Sequence, residues 1–215
     1  GVKPNISKES ALVSSLLTWE KTQTLDLGFD LSMLNNRLNV TFDYFQRKSK
    51  NMVGPAPELP NLLGIAVPKV NNLDMTSKGW EIQVNWRDQI RDFKYGVTLS
   101  LSDNQVVIDK YPNPSNTILD KDNNTYYAGA HVGDIWGFQT IGIAKTDQEM
   151  KDHLAGMPNG AQDVLGSGWG AGDIMYADLN GDGQISRGNK TLADHGDLKK
   201  IGNSTPRYNF GLNLD

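Results

Sequence analysis

Asp178, Asn180 and Asp182 alternate within Asp178-Leu179-Asn180-Gly181-Asp182-Gly183-Gln184-Ile185-Ser186. Side-chain oxygens at the first, third and fifth positions of a loop, with a backbone carbonyl at the seventh (Gln184), form the donor set that calcium takes. Gly183 at the sixth position permits the sharp turn that aims these oxygens at one point, and Ile185 supplies an apolar anchor. The twelfth position, where an EF-hand carries a bidentate Glu, is Asn189, and neither flank reads as an amphipathic helix. The expectation is a calcium-type loop outside an EF-hand. A later carboxylate, Asp194 or Asp197, must complete the shell, and Asp197 is assigned to it. The alternative is an acidic turn without metal, since Asp, Asn and Gly also dominate ordinary tight turns.

Trp136 and Trp169, set among glycines, could stack on sugar rings, with loop packing as the plainer use. His131, His153 and His195 are scattered, and none has a Ser or carboxylate at a spacing that suggests a triad. Asp26, Asp30 and Asp43 could pass for the paired acids of a glycosidase, but all three fall on the polar side of alternating segments. The run Gly166-Ser167-Gly168-Trp169-Gly170-Ala171-Gly172 neither follows a strand nor opens a helix, so it is loop rather than a phosphate cradle. No enzyme is expected. A net charge of −4 and no run of Lys or Arg exclude a nucleic-acid partner on electrostatic grounds. With no Cys, disulfides and thiol chemistry are excluded. No signal peptide is evident, and no apolar run approaches the ~20 residues of a membrane helix. A chain of 215 residues beginning at Gly is expected to be a processed product or a piece of something longer.

Five segments would position these residues. Leu25, Leu27, Phe29, Leu31 and Met33 alternate with polar neighbours, Asn35-Asn36 marks a turn, and Leu38, Val40, Phe42 and Tyr44 resume the alternation. Trp80, Ile82, Val84 and Trp86 form a third strand and Tyr95, Val97, Leu99 and Leu101 a fourth, joined by a charged turn at 87–92. Tyr208, Phe210, Leu212 and Leu214 form the fifth. The strands are placed at about 18–33, 37–49, 79–87, 93–103 and 206–215, within a single fragment covering 1–215. Residues 50–78, broken by Pro55, Pro57, Pro60 and Pro68, read as a long loop. Residues 104–205 read as a second, with one short helix started by the capping-box-like Thr146-Asp147-Gln148-Glu149. The 1–17 stretch is polar around a patch at Ala11-Leu12-Val13. Apolar-in, polar-out strands suit a soluble sandwich. Spans of about ten residues or more, and strict alternation of tight and long connections, suit an outer-membrane barrel. In a barrel, Tyr44, Trp80, Trp86, Tyr95 and Tyr208 near the strand ends would form an aromatic girdle.

The ordered series Leu17-Thr18-Trp19-Glu20-Lys21-Thr22, Leu34-Asn35-Asn36-Arg37-Leu38, Asn71-Asn72-Leu73-Asp74-Met75-Thr76-Ser77-Lys78-Gly79-Trp80-Glu81, Gly172-Asp173-Ile174-Met175-Tyr176-Ala177-Asp178 and Ile201-Gly202-Asn203-Ser204-Thr205-Pro206-Arg207-Tyr208 resembles the SusC/RagA family of TonB-linked outer-membrane transporters of Bacteroidetes. The resemblance covers nearly the whole chain. It implies an all-β fold: about five antiparallel strands from the C-terminal half of a 22-stranded outer-membrane β-barrel, with long extracellular loops. It also implies import of glycans or peptides with a SusD-like surface lipoprotein as lid. Plug and TonB box are absent from the resemblance, so the rest of the barrel and outer-membrane lipid are expected partners. The second reading is a soluble calcium-containing carbohydrate-binding β-sandwich module.

Overall fold

The computed structural model describes residues 17–54, 69–118 and 126–215. It divides into two compact units: residues 1–112 with 207–215, and residues 113–206. The prolines between 55 and 68, and the Ala11-Leu12-Val13 patch, lie outside the described residues.

The first unit is one antiparallel sheet. Its strands are β1 (Lys21–Met33), β2 (Leu38–Val53), β3 (Asn71–Ile90), β4 (Phe93–Lys110) and, after the second unit, a last strand Tyr208–Leu214. They lie side by side in that order. The β1–β2 turn is set by Leu34, Asn35 and Asn36 at φ of 56°, 56° and 65°, the left-handed region that Asn tolerates best. The β3–β4 turn at Arg91-Asp92 uses Arg91 at φ 55°.

Register decides what the two faces are, because side chains alternate with period two. Met33, Leu38, Trp86, Val97 and Leu214 stand opposite one another in a row across the sheet. The next rows are Leu31–Val40–Val84–Leu99–Leu212 and Phe29–Phe42–Ile82–Leu101–Phe210. The fourth is Leu27–Tyr44–Trp80–Asp103–Tyr208. On the other face the rows read Ser32–Asn39–Asn85–Thr98–Asn213, Asp30–Thr41–Gln83–Ser100–Gly211 and Gly28–Asp43–Glu81–Ser102–Asn209. One face is hydrocarbon and aromatic apart from Asp103 at its edge, and the other is hydroxyl, amide and carboxylate. Along β1 the apolar rows run from Leu27 to Met33, roughly 20 Å at about 3.3 Å per residue. That is close to the apolar band, ~25 Å tall, of outer-membrane barrels.

The strands are longer than their alternation suggested. β2 runs on to Val53, β3 begins at Asn71 and β4 continues to Lys110, so parts of the loops expected at 50–78 and 104–205 are strand. Tyr44 and Trp80 therefore lie mid-strand, at the edge of the apolar band rather than at strand ends. Beyond them both faces of β2 carry polar residues, from Gln46 to Asn51, so alternation fades while the ladder continues.

The second unit corrects the long-loop reading of 104–205. It contains β5 (Asp134–Phe138), β6 (Thr140–Ile143), α1 (Asp147–Ala155), a 3-10 turn (Asp163–Leu165), β7 (Ile174–Tyr176) and β8 (Leu198–Asn203); the last strand of the sheet is thus β9. β5 pairs with β8 and β6 with β7, both antiparallel. Thr146 caps α1 by accepting from the Glu149 N–H at 3.1 Å, where the capping-box residues placed it. Strands of three to six residues are too short to leave a periodic signal. Its buried side chains include Met150, Met157, Ile185 and Leu198, with two polar ones, Gln162 and Asp197.

Candidate functional site

The 178–186 segment is held by its own carboxylates and by clamps from outside it. Gln162 is fully buried; its Nε2 donates to Ile174 O at 3.0 Å and its Oε1 accepts from Tyr176 N–H at 3.3 Å. This fixes β7, which leads directly into Asp178. Ile185 N–H donates to Ala161 O, and the Ile185 side chain is buried. Gly181 and Gly183 adopt φ of +74° and +82°. A β-carbon at Gly183 would also approach Pro158 Cδ to 3.0 Å, so position and space both demand glycine there.

Within this frame Asp178 Oδ1 and Oδ2 accept from the N–H groups of Gly181 and Gly183 at 2.7 and 2.8 Å. Asp182 Oδ1 accepts from Gln184 N–H at 3.0 Å, and its Oδ2 from Asn180 Nδ2 at 3.0 Å. Asp197 comes from outside the loop and closes it: Oδ1 accepts from Leu179 N–H and Oδ2 from Ser186 N–H, both at 2.7 Å. One carboxylate oxygen from each of Asp178, Asp182 and Asp197 lies within 4.8 Å of the other two. Oxygens on opposite sides of a calcium ion, each about 2.3–2.6 Å from it, are separated by roughly that distance. Among the described residues no Lys, Arg or His forms an ion pair with any of the three. The donor set fits a hard divalent cation. Asn180 and Gln184 adjoin the group through their bonds to Asp182. Asp194 does not join it; its Oδ2 accepts from Asn189 N–H and Nδ2.

Trp136 and Trp169 are placed separately. Trp136 is on β5, opposite Lys200 of β8, with its ring 5.4 Å from that of His195 at an angle of 50°. Trp169 closes over Gly166, where a β-carbon would meet its Cζ2 at 3.4 Å. Both are half-buried, with enclosed indole N–H groups. Asp26, Asp30 and Asp43 lie on the polar face of the sheet, Asp30 accepting from Thr41 Oγ1 at 2.7 Å. Asp43, Glu81, Gln83, Ser100, Ser102 and Asn209 line a shallow groove on that face.

An ion pair that the sequence did not announce joins β5 to β8. Lys200 Nζ lies 2.7 Å from Asp134 Oδ2, and the Asp134 carboxylate also accepts from His131 N–H and Asn203 Nδ2. Burial pushes Asp134 up, but Lys200 and the N–H donors outweigh it, so its pKa lies below the usual carboxylate value. Lys200 is burdened in the same way by burial, yet Asp134 and Tyr127 hold its pKa above the usual lysine value. A depressed carboxylate stabilises fully above the ordinary range, and that contribution is lost as pH falls through the depressed pKa. Thermal melts should therefore lose stability below about pH 4, and Asp134→Asn should flatten that acid limb.

Residues 7–214 match the family model described as TonB dependent receptor-like, beta-barrel. The chain belongs to the TonB-dependent receptor β-barrel family. TonB-dependent receptor P3 of Formosa agariphila is 27% identical over 208 residues, covering 93% of this chain and 19% of that protein. Receptor P26 of the same organism is 27% identical over 185 residues, covering 79% and 17%. The chain thus spans about a fifth of the length of these curated relatives. Among solved structures, the RagAB peptide transporter superposes with a TM-score of 0.60 at 19% identity, over 98% of this chain and 22% of that one. The RagAB peptide importer in its open-open state gives 0.60 at 16% identity, over 98% and 21%. The barrel fold rests on both the family model and the structural likeness to RagAB. This is an outer-membrane family of receptors and transporters, not of enzymes. The family model is that of a β-barrel, and it replaces the soluble-sandwich reading.

Proposed function

We propose that this chain forms part of the wall of an outer-membrane, TonB-dependent importer of nutrient glycans or peptides. The observation that carries the proposal is the two-faced sheet, whose apolar rows suit lipid and whose amide- and acid-rich rows suit a wet lumen. The remainder of the barrel would pair with the free edges of β1 and β9, since an unpaired edge in a bilayer leaves backbone groups unsatisfied. A SusD-like surface lipoprotein is the proposed lid, and the long connections, which leave the sheet at the end opposite the tight turns, would face outward. The 113–206 unit would be such an outer loop, with calcium held by Asp178, Asn180, Asp182, Gln184 and Asp197. The ion would fix the 178–186 loop, whose one buried apolar side chain is Ile185. Trp136 and Trp169 would be contacts for substrate at that surface.

RagAB is named as a peptide transporter and importer, which favours peptide, while the two tryptophans favour sugar. Cells with and without the receptor should differ in accumulation of labelled oligosaccharide or labelled oligopeptide, and the class that differs names the cargo. Equal accumulation of both would remove the importer reading.

A further inference from the structure

Beyond the Leu27–Tyr44–Trp80–Asp103–Tyr208 row, the lipid-side face turns polar on β2 and β3 within one residue pair. The next row on that face is Leu25–Gln46–Lys78–Gln105, followed by Gln23 opposite Lys48 and Lys21 opposite Lys50. Lys48 also faces Thr76 across β2–β3, one pair along from Lys78. Four exposed lysines thus share one face of three adjacent strands. Among the described residues none of the four makes an ion pair. Like charges directly opposite on a sheet are destabilising, so the Lys21–Lys50 pair is a cost that sheet stability does not explain.

The nearby acids Glu20, Asp74 and Asp109 form no ion pair with these lysines. Asp74 accepts from Asn51 N–H and Asp109 from Thr76 Oγ1. Arg207 is already committed: its Nε and Nη2 hold the Asp103 carboxylate at 2.8–3.1 Å, and its guanidinium lies 5.0 Å from the Tyr208 ring centroid. At the opposite end Asp88, Asp92 and Asp215 are interspersed among the basic residues, and Arg37 Nη1 lies 3.3 Å from Asp88 Oδ2. The four lysines lie at the end from which the long connections depart. In an outer-membrane barrel that end meets the outer leaflet.

We propose that Lys21, Lys48, Lys50 and Lys78 bind the phosphate groups of an anionic lipid in the outer leaflet. Its acyl chains would lie along the apolar rows and its glycerol or sugar backbone against Tyr44, Trp80 and Tyr208. Depth supports the assignment: Lys78 is two residues from Trp80, Lys48 and Lys50 four and six from Tyr44, and Lys21 six from Leu27, so the lysines stand about 7–20 Å from the aromatic rim along strands tilted by about 45°. That is headgroup level, where lysine is drawn to anionic lipid. The inference rests on the sheet being barrel wall, but its test does not involve transport, so its failure would leave the importer reading standing.

The protein, extracted from outer membranes in mild detergent, would be titrated with mixed micelles containing dioleoyl phosphatidic acid or dioleoyl phosphatidylcholine. Lys48→Gln/Lys50→Gln/Lys78→Gln should weaken phosphatidic acid binding about fivefold per lysine and leave phosphatidylcholine unchanged. The substitutions are at exposed positions and remove mutual repulsion, so the sheet should persist, checked by heat-modifiable migration. Lys145→Gln/Lys151→Gln/Lys190→Gln, the same charge change in the other unit, should bind like the parent. Unchanged binding in the first triple variant, or equal loss in the second, would overturn the proposal. Full competition by millimolar inorganic phosphate would also overturn it, assigning the lysines to a free anion.

Discussion

Chelating calcium is expected to lower the melting temperature of the 113–206 unit by on the order of 10 °C when free calcium had stood about 100-fold above its dissociation constant. Three carboxylate oxygens within 4.8 Å of one another repel by about 3 kcal/mol per pair at an effective dielectric of about 20. A divalent cation converts that repulsion into attraction, so the folded loop and the ion are linked. Asp182→Ala removes a ligand and a repelling charge together. It should abolish the response to chelator while leaving the metal-free melt near or above that of the parent. Asp197→Ala differs, because its carboxylate also accepts from Leu179 and Ser186 N–H at a fully buried position. Those donors would be left without partners, a loss of about 2–4 kcal/mol with or without metal. Calorimetry of the parent and both variants, with and without EDTA, separates these roles. A parent melt indifferent to EDTA would make the loop an acidic turn without an ion.

The sequence made the membrane rows legible because they obey a period of two on a face that meets one solvent. Leu25 to Met33 and Leu38 to Tyr44 could be read as strands joined at Asn35-Asn36 without coordinates. Legibility ended where the solvent changed. From Gln46 to Asn51 both faces of β2 are polar, and the hydrogen-bonded ladder continues with no alternation to announce it. The candidate metal site was half legible for a similar reason. Asp178, Asn180 and Asp182 sit in one continuous loop with fixed spacing. The closing carboxylate depends on how residues 187–196 fold back, so Asp194 and Asp197 were equally available to the pattern. Only the backbone donors Leu179 and Ser186 select Asp197. Gln162 clamps residues 12 and 14 positions away, and Asp134 with Lys200 and Asp103 with Arg207 pair across longer separations, 104 residues in the last case. No local motif encodes them.

Arginine placed at Ile82 and at Phe210 should be equally damaging, although the two positions differ greatly in exposure here. Both belong to the row Phe29–Phe42–Ile82–Leu101–Phe210 and are two strands apart, so with strands tilted by about 40° their depths differ by only about 6 Å, both inside the apolar band. Ile82 is half-buried between strands, whereas Phe210, on edge strand β9, is 83% exposed. In an apolar core the cost of a charge follows burial, and Phe210→Arg would be nearly free. In a bilayer the cost follows depth, about 2–4 kcal/mol for arginine at the midplane and about 0–1 near the interfaces. Two contrasts sharpen the test. Gln83→Arg, one residue from Ile82 but on the face with Asp30, should be nearly neutral in a water-filled lumen. Trp80→Arg, at the rim, should lose the girdle contact yet carry little of the depth penalty. The measurement is guanidinium unfolding of the receptor folded into phospholipid vesicles, with the amount recovered in outer membranes as the cellular counterpart. Equal losses at Ile82 and Phe210 would show that hydrocarbon covers this face out to β9. A near-neutral Phe210→Arg beside a costly Ile82→Arg would mean that neighbouring side chains, not lipid, define the apolar rows, and the barrel-wall account of this sheet would fail.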